Sequence, residues 1–221
     1  RFRAVGAALC RAKETEKMSR VQIHFSKRGR AIFVPHAELP ILFTRAARRA
    51  GLRMELTQGF TRRPRTAFGP PLPVGVIGLN EPAEFWFEDW DGGSLERWRR
   101  FMPEGFDILR AGMTDGVSLS KLCQAASYII EPVRSVSLDE ASCVLDAEFR
   151  ESGAILSLKT DGNGILISVT DLERTGASKM VKALAAASLI SGWGELSITR
   201  TAVGSWDSGA MKVTPLTGEM S

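Results

Sequence analysis

Seven arginines fall between Arg45 and Gly75, accompanied by one acid, Glu55, and by neither lysine nor histidine. Arg45, Arg48 and Arg49 are spaced to share one face of a helix. Arg62, Arg63 and Arg65 follow as a second cluster, and Lys27, Arg28 and Arg30 precede both. A guanidinium is planar and offers a fork of donors that matches phosphate or carboxylate, so this choice of arginine over lysine predicts anion recognition. Within the same stretch, Gln58-Gly59-Phe60 has two readings. Phe60 either packs beneath a turn that needs the positive φ of Gly59, or offers a face on which a base can stack. His36 is the one candidate general base near the arginines. No carboxylate partner is evident for it, since Glu38 is too close in sequence to orient it. A G-x-G-x-x-G or Walker pattern is absent, which leaves a dinucleotide or triphosphate site unsupported.

The charge distribution sharpens this expectation. Residues 1–75 hold 16 lysines and arginines against 4 acids, so the rest of the 221-residue chain is net acidic although the whole carries +4. A basic N-terminal part facing an anionic partner, and a C-terminal part with another task, follow from that asymmetry. The 44% hydrophobic content is that of a globular protein. No apolar run approaches the roughly 18 residues that span a bilayer. Cys10, Cys123 and Cys143 are widely separated and odd in number, which predicts reduced thiols and a cytoplasmic protein. Three thiols are too few for an iron–sulfur cluster, which needs about four, and His24 and His36 add little towards a zinc site. No metal ligands are therefore assigned.

The elements that must position these residues alternate in type. Val21–Val34 reads as a strand or tight hairpin, with Ser26–Arg30 as its turn. A helix is predicted over 37–50, with Pro40 in its first turn, Leu39, Leu42, Phe43, Ala46 and Ala50 as its buried stripe, and Gly51 as its stop. Leu52–Leu56 and Glu84–Trp90 read as strands, Leu95–Met102 as a short helix capped by Ser94, and Phe106–Ala111 as a strand. On the Glu84–Trp90 strand, Trp86 and Trp90 share a face with the acids and Phe85 and Phe87 the other. The order repeats: strand Tyr128–Val133, a helix opened by the Ser137/Glu140 capping box, a hairpin through Asp161-Gly162-Asn163-Gly164, helix Ala177–Ser191, and strand Glu195–Val203. Trp193 and Trp206 read as core or edge fillers. The predicted fold is α+β, two tandem ferredoxin-like βαββαβ units with antiparallel sheets. The expected division is a flexible tail at 1–17 before a natural start at Met18, a basic unit at 18–120 carrying the Arg/Pro insertion, and a second unit at 121–221.

From Phe25 to Gly75 the chain resembles the radical SAM-linked protein family, a bacterial domain of unknown function. The resemblance rests on F-S-K-x-G at Phe25–Gly29, His36 after Phe33, R-A-x-R-R-A-x-L at Arg45–Leu52, Q-G-F at Gln58–Phe60, Pro64, and L-P-x-G at Leu72–Gly75. The chain departs from it at Pro35-His36-Ala37-Glu38 and at Thr61-Arg62-Arg63-Pro64-Arg65, where the loop becomes more basic. The family supplies no catalytic residues to carry over. It implies a radical SAM protein as partner, which would hold the iron–sulfur cluster and S-adenosylmethionine, with no cofactor in this chain. Gene neighbourhoods in that family imply RNA or a ribosome-related substrate.

The expectation is a non-catalytic accessory module of a radical SAM enzyme that binds RNA or another anionic substrate through its arginine face and docks its partner through the second unit. Several arginine–phosphate contacts would bind RNA with little sequence preference and strong salt dependence. Two alternatives stay open. One is a metal-independent endoribonuclease of the tandem ferredoxin-like RNA-processing kind, with His36 as base and Arg48 or Arg49 stabilising the phosphate. The other is a binder of small anions.

Overall fold

A computed structural model describes residues 18–216; the predicted tail at 1–17 and residues 217–221 lie outside it. The first unit runs β1 (Ser19–Lys27), α1 (Leu39–Arg49), β2 (Thr66–Phe68), β3 (Ile77–Phe87), α2 (Ser94–Arg99) and β4 (Phe106–Met113). A four-residue turn of helix, α3 (Leu119–Leu122), leads into the second unit. That unit runs β5 (Ala125–Pro132), α4 (Leu138–Arg150), β6 (Ile155–Asp161), β7 (Gly164–Thr170), α5 (Leu172–Thr175), α6 (Ala177–Ala186), β8 (Leu196–Asp207) and β9 (Lys212–Pro215).

Both units have the strand order of a ferredoxin-like fold. The first pairs as β4-β1-β3-β2 and the second as β8-β5-β7-β6, and the whole forms one nine-stranded sheet. The pairings within each unit are antiparallel. The units join where β3 meets β8 in parallel, with Ile77 opposite Thr199 and Gly78 opposite Arg200. This junction exists because β2 is only three residues long and covers β3 at Ala83–Phe85, which leaves the N-terminal end of β3 to β8.

Alternation in β1 puts Val21, Ile23 and Phe25 into the first core, beside Phe85 and Phe87 of β3 and Leu39, Phe43 and Ala46 of α1. Phe43 is fully buried and touches the rings of Phe25, Phe68, Phe85, Trp98 and Phe106 at centroid separations of 4.8–6.1 Å. Most of these contacts are edge-on, the arrangement aromatic quadrupoles favour. The second core gathers Tyr128, Ile130, Ile165, Ile167 and Val169 of the sheet under Leu145, Phe149, Met180 and Leu184 of α4 and α6. The Ser137 hydroxyl accepts the backbone N–H of Glu140 at 3.3 Å, so the predicted cap opens α4.

Several local expectations are corrected. Ala31–Val34 is not the second strand of a hairpin; Gly29–Phe33 is a 3-10 turn, because both edges of β1 are taken by the distant strands β3 and β4. Leu52–Leu56 makes only isolated bridges, Met54 to Phe87 and Leu56 to Pro64. Strand β3 starts at Ile77, seven residues before the predicted start, and ends at Phe87. Trp90 therefore lies beyond it and folds back onto Phe87 at 5.0 Å and Trp98 at 6.3 Å, away from Trp86. At α2, Asp91 rather than Ser94 takes the leading N–H, accepting from Gly93 at 2.8 Å. Helix α6 stops at Ala186, before the positive-φ Ser188. Trp193 is exposed, and Trp206 packs at the edge against a small cluster with Val213.

Candidate functional site

The predicted anion-binding residues separate into three places. On α1, Leu39, Phe43, Ala46 and Ala47 face the core, which leaves Arg45, Arg48 and Arg49 exposed. Arg45 and Arg49 line a groove of about 490 Å³ together with Glu38 and the exposed Phe33, Ile41 and Phe101. Arg48 lies one step round the helix, outside that lining. Arg28 and Arg30 are exposed at the 3-10 turn that leads to Phe33.

The second place is the hairpin-like loop closed by the Leu56–Pro64 bridge. Arg62 and Arg63 are exposed on it, and Phe60 projects fully into solvent. Gly59 does have positive φ, at 147°, yet Phe60 does not pack beneath the turn. Arg65 is engaged. It pairs with Glu55 at 3.1 Å and lies over the Trp86 ring at 4.3 Å, with Arg20 at 5.5 Å from the same ring. Arg20 in turn holds the buried Glu84 at 2.9 Å. Trp86 is thus wedged between two paired arginines. Among the described residues, Arg28, Arg30, Arg45, Arg48, Arg49, Arg62 and Arg63 form no ion pair.

The third place is internal and was not foreseen. Lys27 is not a surface cation: its exposure is 0%, at the seam between the two units. A register irregularity after Phe25 lets Lys27 sit opposite Gly78. Beside it, Arg200 of β8, 1% exposed, grips Glu81 of β3 with two nitrogens: Nε donates to Oε1 at 2.9 Å and Nη2 to Oε2. The guanidinium also donates to the carbonyls of Pro70 at 2.8 Å and Pro71 at 3.3 Å. Burial alone would lower the Arg200 pKa, but Glu81 and Tyr128 overcome this and hold it above its ordinary value. Glu81 lies opposite Phe25 of the first core and Arg200 opposite Tyr128 of the second, so this pair joins the two.

His36 belongs to the same neighbourhood. Its Nδ1 is buried without a hydrogen-bond partner, its ring meets Phe68 edge-on at 6.0 Å, and Arg200, Glu81 and Lys27 all act on it. Burial, then Arg200, hold its pKa below the usual 6.5; Glu81 opposes them and Lys27 adds to them. The pKa of Lys27 is lowered by burial, against the pull of Glu81 and with the repulsion of Arg200. Gly75 ties the cover down by donating to Ile32 O at 2.9 Å. Three segments that carry the family resemblance, Phe25–Gly29, His36 and Leu72–Gly75, therefore meet around Lys27. The signal in the sequence was Lys27 at the end of an alternating apolar strand, a position where a solvated lysine is out of place.

The opposite face of β1 is polar and also covered. His24, 1% exposed, joins Asn80 Oδ1 through Nδ1 at 2.7 Å. Burial, then Arg110, lower its pKa to about 4, against the hydrogen bonds of Asn80 and Leu216. Cys123 is pushed up to about 12, chiefly by burial, which disfavours its thiolate form. Among the described residues, no group of three or more His, Cys, Asp or Glu side chains could hold a metal ion. None of their helices is long and apolar enough to cross a membrane.

None of the curated proteins matches the chain. Among solved structures it is similar to one described as a candidate glycine cleavage system transcriptional repressor. The identity is 10%, the match covers 83% of this chain and 96% of that one, and the TM-score is 0.25. A family model matches residues 20–188, and the chain belongs to that family, described as an uncharacterized protein conserved in bacteria (DUF2344).

Proposed function

We propose that the chain is a non-catalytic accessory module of a radical SAM enzyme, and that the groove along α1 receives single-stranded RNA. The observation that carries this reading is the placement of Arg45 and Arg49, free of acid partners, over a groove bordered by exposed Phe33 and Phe101. Cations that follow a backbone and aromatic faces on which bases stack are the two parts of a sequence-tolerant single-strand site. Arg28 and Arg30 extend the positive surface on the Phe33 side. Phe60, Arg62 and Arg63 repeat the same combination on the loop.

The endoribonuclease alternative has less support, because the buried nitrogen of His36 belongs to the seam and no carboxylate is bonded to it. The radical SAM link rests on the motif resemblance, and the second unit is the surface offered to that partner. Filter binding of a single-stranded RNA across a salt series tests the RNA part; salt-independent or absent retention would remove it. Co-purification with a radical SAM protein tests the partner.

A further inference from the structure

At the seam, two cations face one carboxylate, and only Arg200 is bonded to it. Both oxygens of Glu81 are held by Arg200, which also donates to the Pro70 and Pro71 carbonyls. Lys27 Nζ, with three donors and no exposure, has no hydrogen-bond partner among the described residues, and neither has His36 Nδ1. A buried ammonium without acceptors is among the costliest arrangements a fold can hold. Buried polar groups in native proteins are satisfied almost without exception. What this neighbourhood calls for is a negative group bearing acceptor oxygens.

We propose that Lys27 and His36 form an internal site for a small oxyanion, the carboxylate or phosphate end of a compact metabolite. Lys27 supplies the charge and His36 Nδ1–H a second donor. Arg200 and Glu81 are positioning residues that hold the floor rigid. The bare backbone of Gly78, opposite Lys27, is what lets Glu81 and Leu72 close over the seam: a Cβ there would lie 2.7 Å from Glu81 Cγ and 3.0 Å from a Leu72 methyl. The outer side of the Pro70–Pro73 cover borders a cavity of about 370 Å³ lined by Pro71, Pro73, Tyr128 and Lys179. An anion beside Lys27 would favour the charged form that burial disfavours. This site is separate from the α1 groove and stands or falls independently of RNA binding.

The test is calorimetric titration and thermal denaturation of the full chain with sodium phosphate and with sodium malonate, against sodium chloride at matched ionic strength. At least one oxyanion is expected to raise the midpoint by several degrees where chloride does not. Phosphate acting alone, or malonate alone, tells which kind of ligand the site takes. Lys27→Met should lose at least ten-fold in affinity, and His36→Gln, at a partly exposed position, should weaken binding while leaving the circular dichroism unchanged. Arg45→Glu/Arg49→Glu should bind the oxyanion as the parent does. No stabilisation by either oxyanion, undiminished binding by His36→Gln and Lys27→Met, or loss in the groove variant would each overturn the site.

Discussion

Glu81 of β3 and Arg200 of β8 are 119 residues apart in the chain and meet as a two-pronged ion pair, Nε to Oε1 at 2.9 Å, where the two units' strands run parallel. Because both are buried, neither charge can be solvated if its partner goes. Glu81→Gln is expected to destabilise the fold by about 3–5 kcal/mol in urea denaturation. Replacing both, as Glu81→Leu/Arg200→Met, should recover most of that loss, because it removes the stranded charge along with the pair. A single substitution as mild as the double one would show that water reaches the seam.

Phe43 has no exposed surface and touches five aromatic rings across α1, β1, β2, β3, α2 and β4. Phe43→Ala is expected to cost about 3–5 kcal/mol, measured by the shift in urea midpoint. Phe60→Ala, on a fully exposed ring, should leave the midpoint unchanged.

Acid should loosen this protein through His24. Its folded pKa of about 4 lies below its ordinary 6.5, so the unfolded chain binds the proton first as the pH falls. The stabilisation is fully present above about pH 6.5 and is lost between there and about pH 4, on the order of 3 kcal/mol in all. His36, also shifted downward, acts in the same direction. Urea denaturation at pH 7.5 and pH 4.5 measures the slope. His24→Asn, which keeps a polar group beside Asn80, should flatten it; an unchanged slope would place the acid sensitivity elsewhere.

Much of the fold was legible before any coordinates. Alternation in β1, the helical spacing of Leu39, Phe43 and Ala46, the Ser137 cap and the Asp161–Gly164 turn are local signals, and local physics decides them. Legibility fell where tertiary pairing decides. Ala31–Val34 alternates like a strand, but β1 had already given both its edges to β3 and β4. The exposed arginines of α1 followed from the helical wheel. Arg65 and Lys27 did not, because their partners and their burial come from distant segments, Trp86 in one case and the β3–β8 junction in the other. Arg200 reads in sequence as one more polar residue on a strand.

The central claim is that Arg45 and Arg49 receive the phosphates of a single strand. Both side chains are exposed and free of acid partners, so Arg45→Glu/Arg49→Glu should fold as the parent does. The deciding measurement is fluorescence anisotropy of a labelled single-stranded RNA with parent and variant, from about 50 to 200 mM salt. The account predicts at least a ten-fold weaker affinity for the variant and a slope of log affinity against log salt shallower by about 1.4, as expected for two lost phosphate contacts. Equal affinity and equal slope for the two proteins would contradict it.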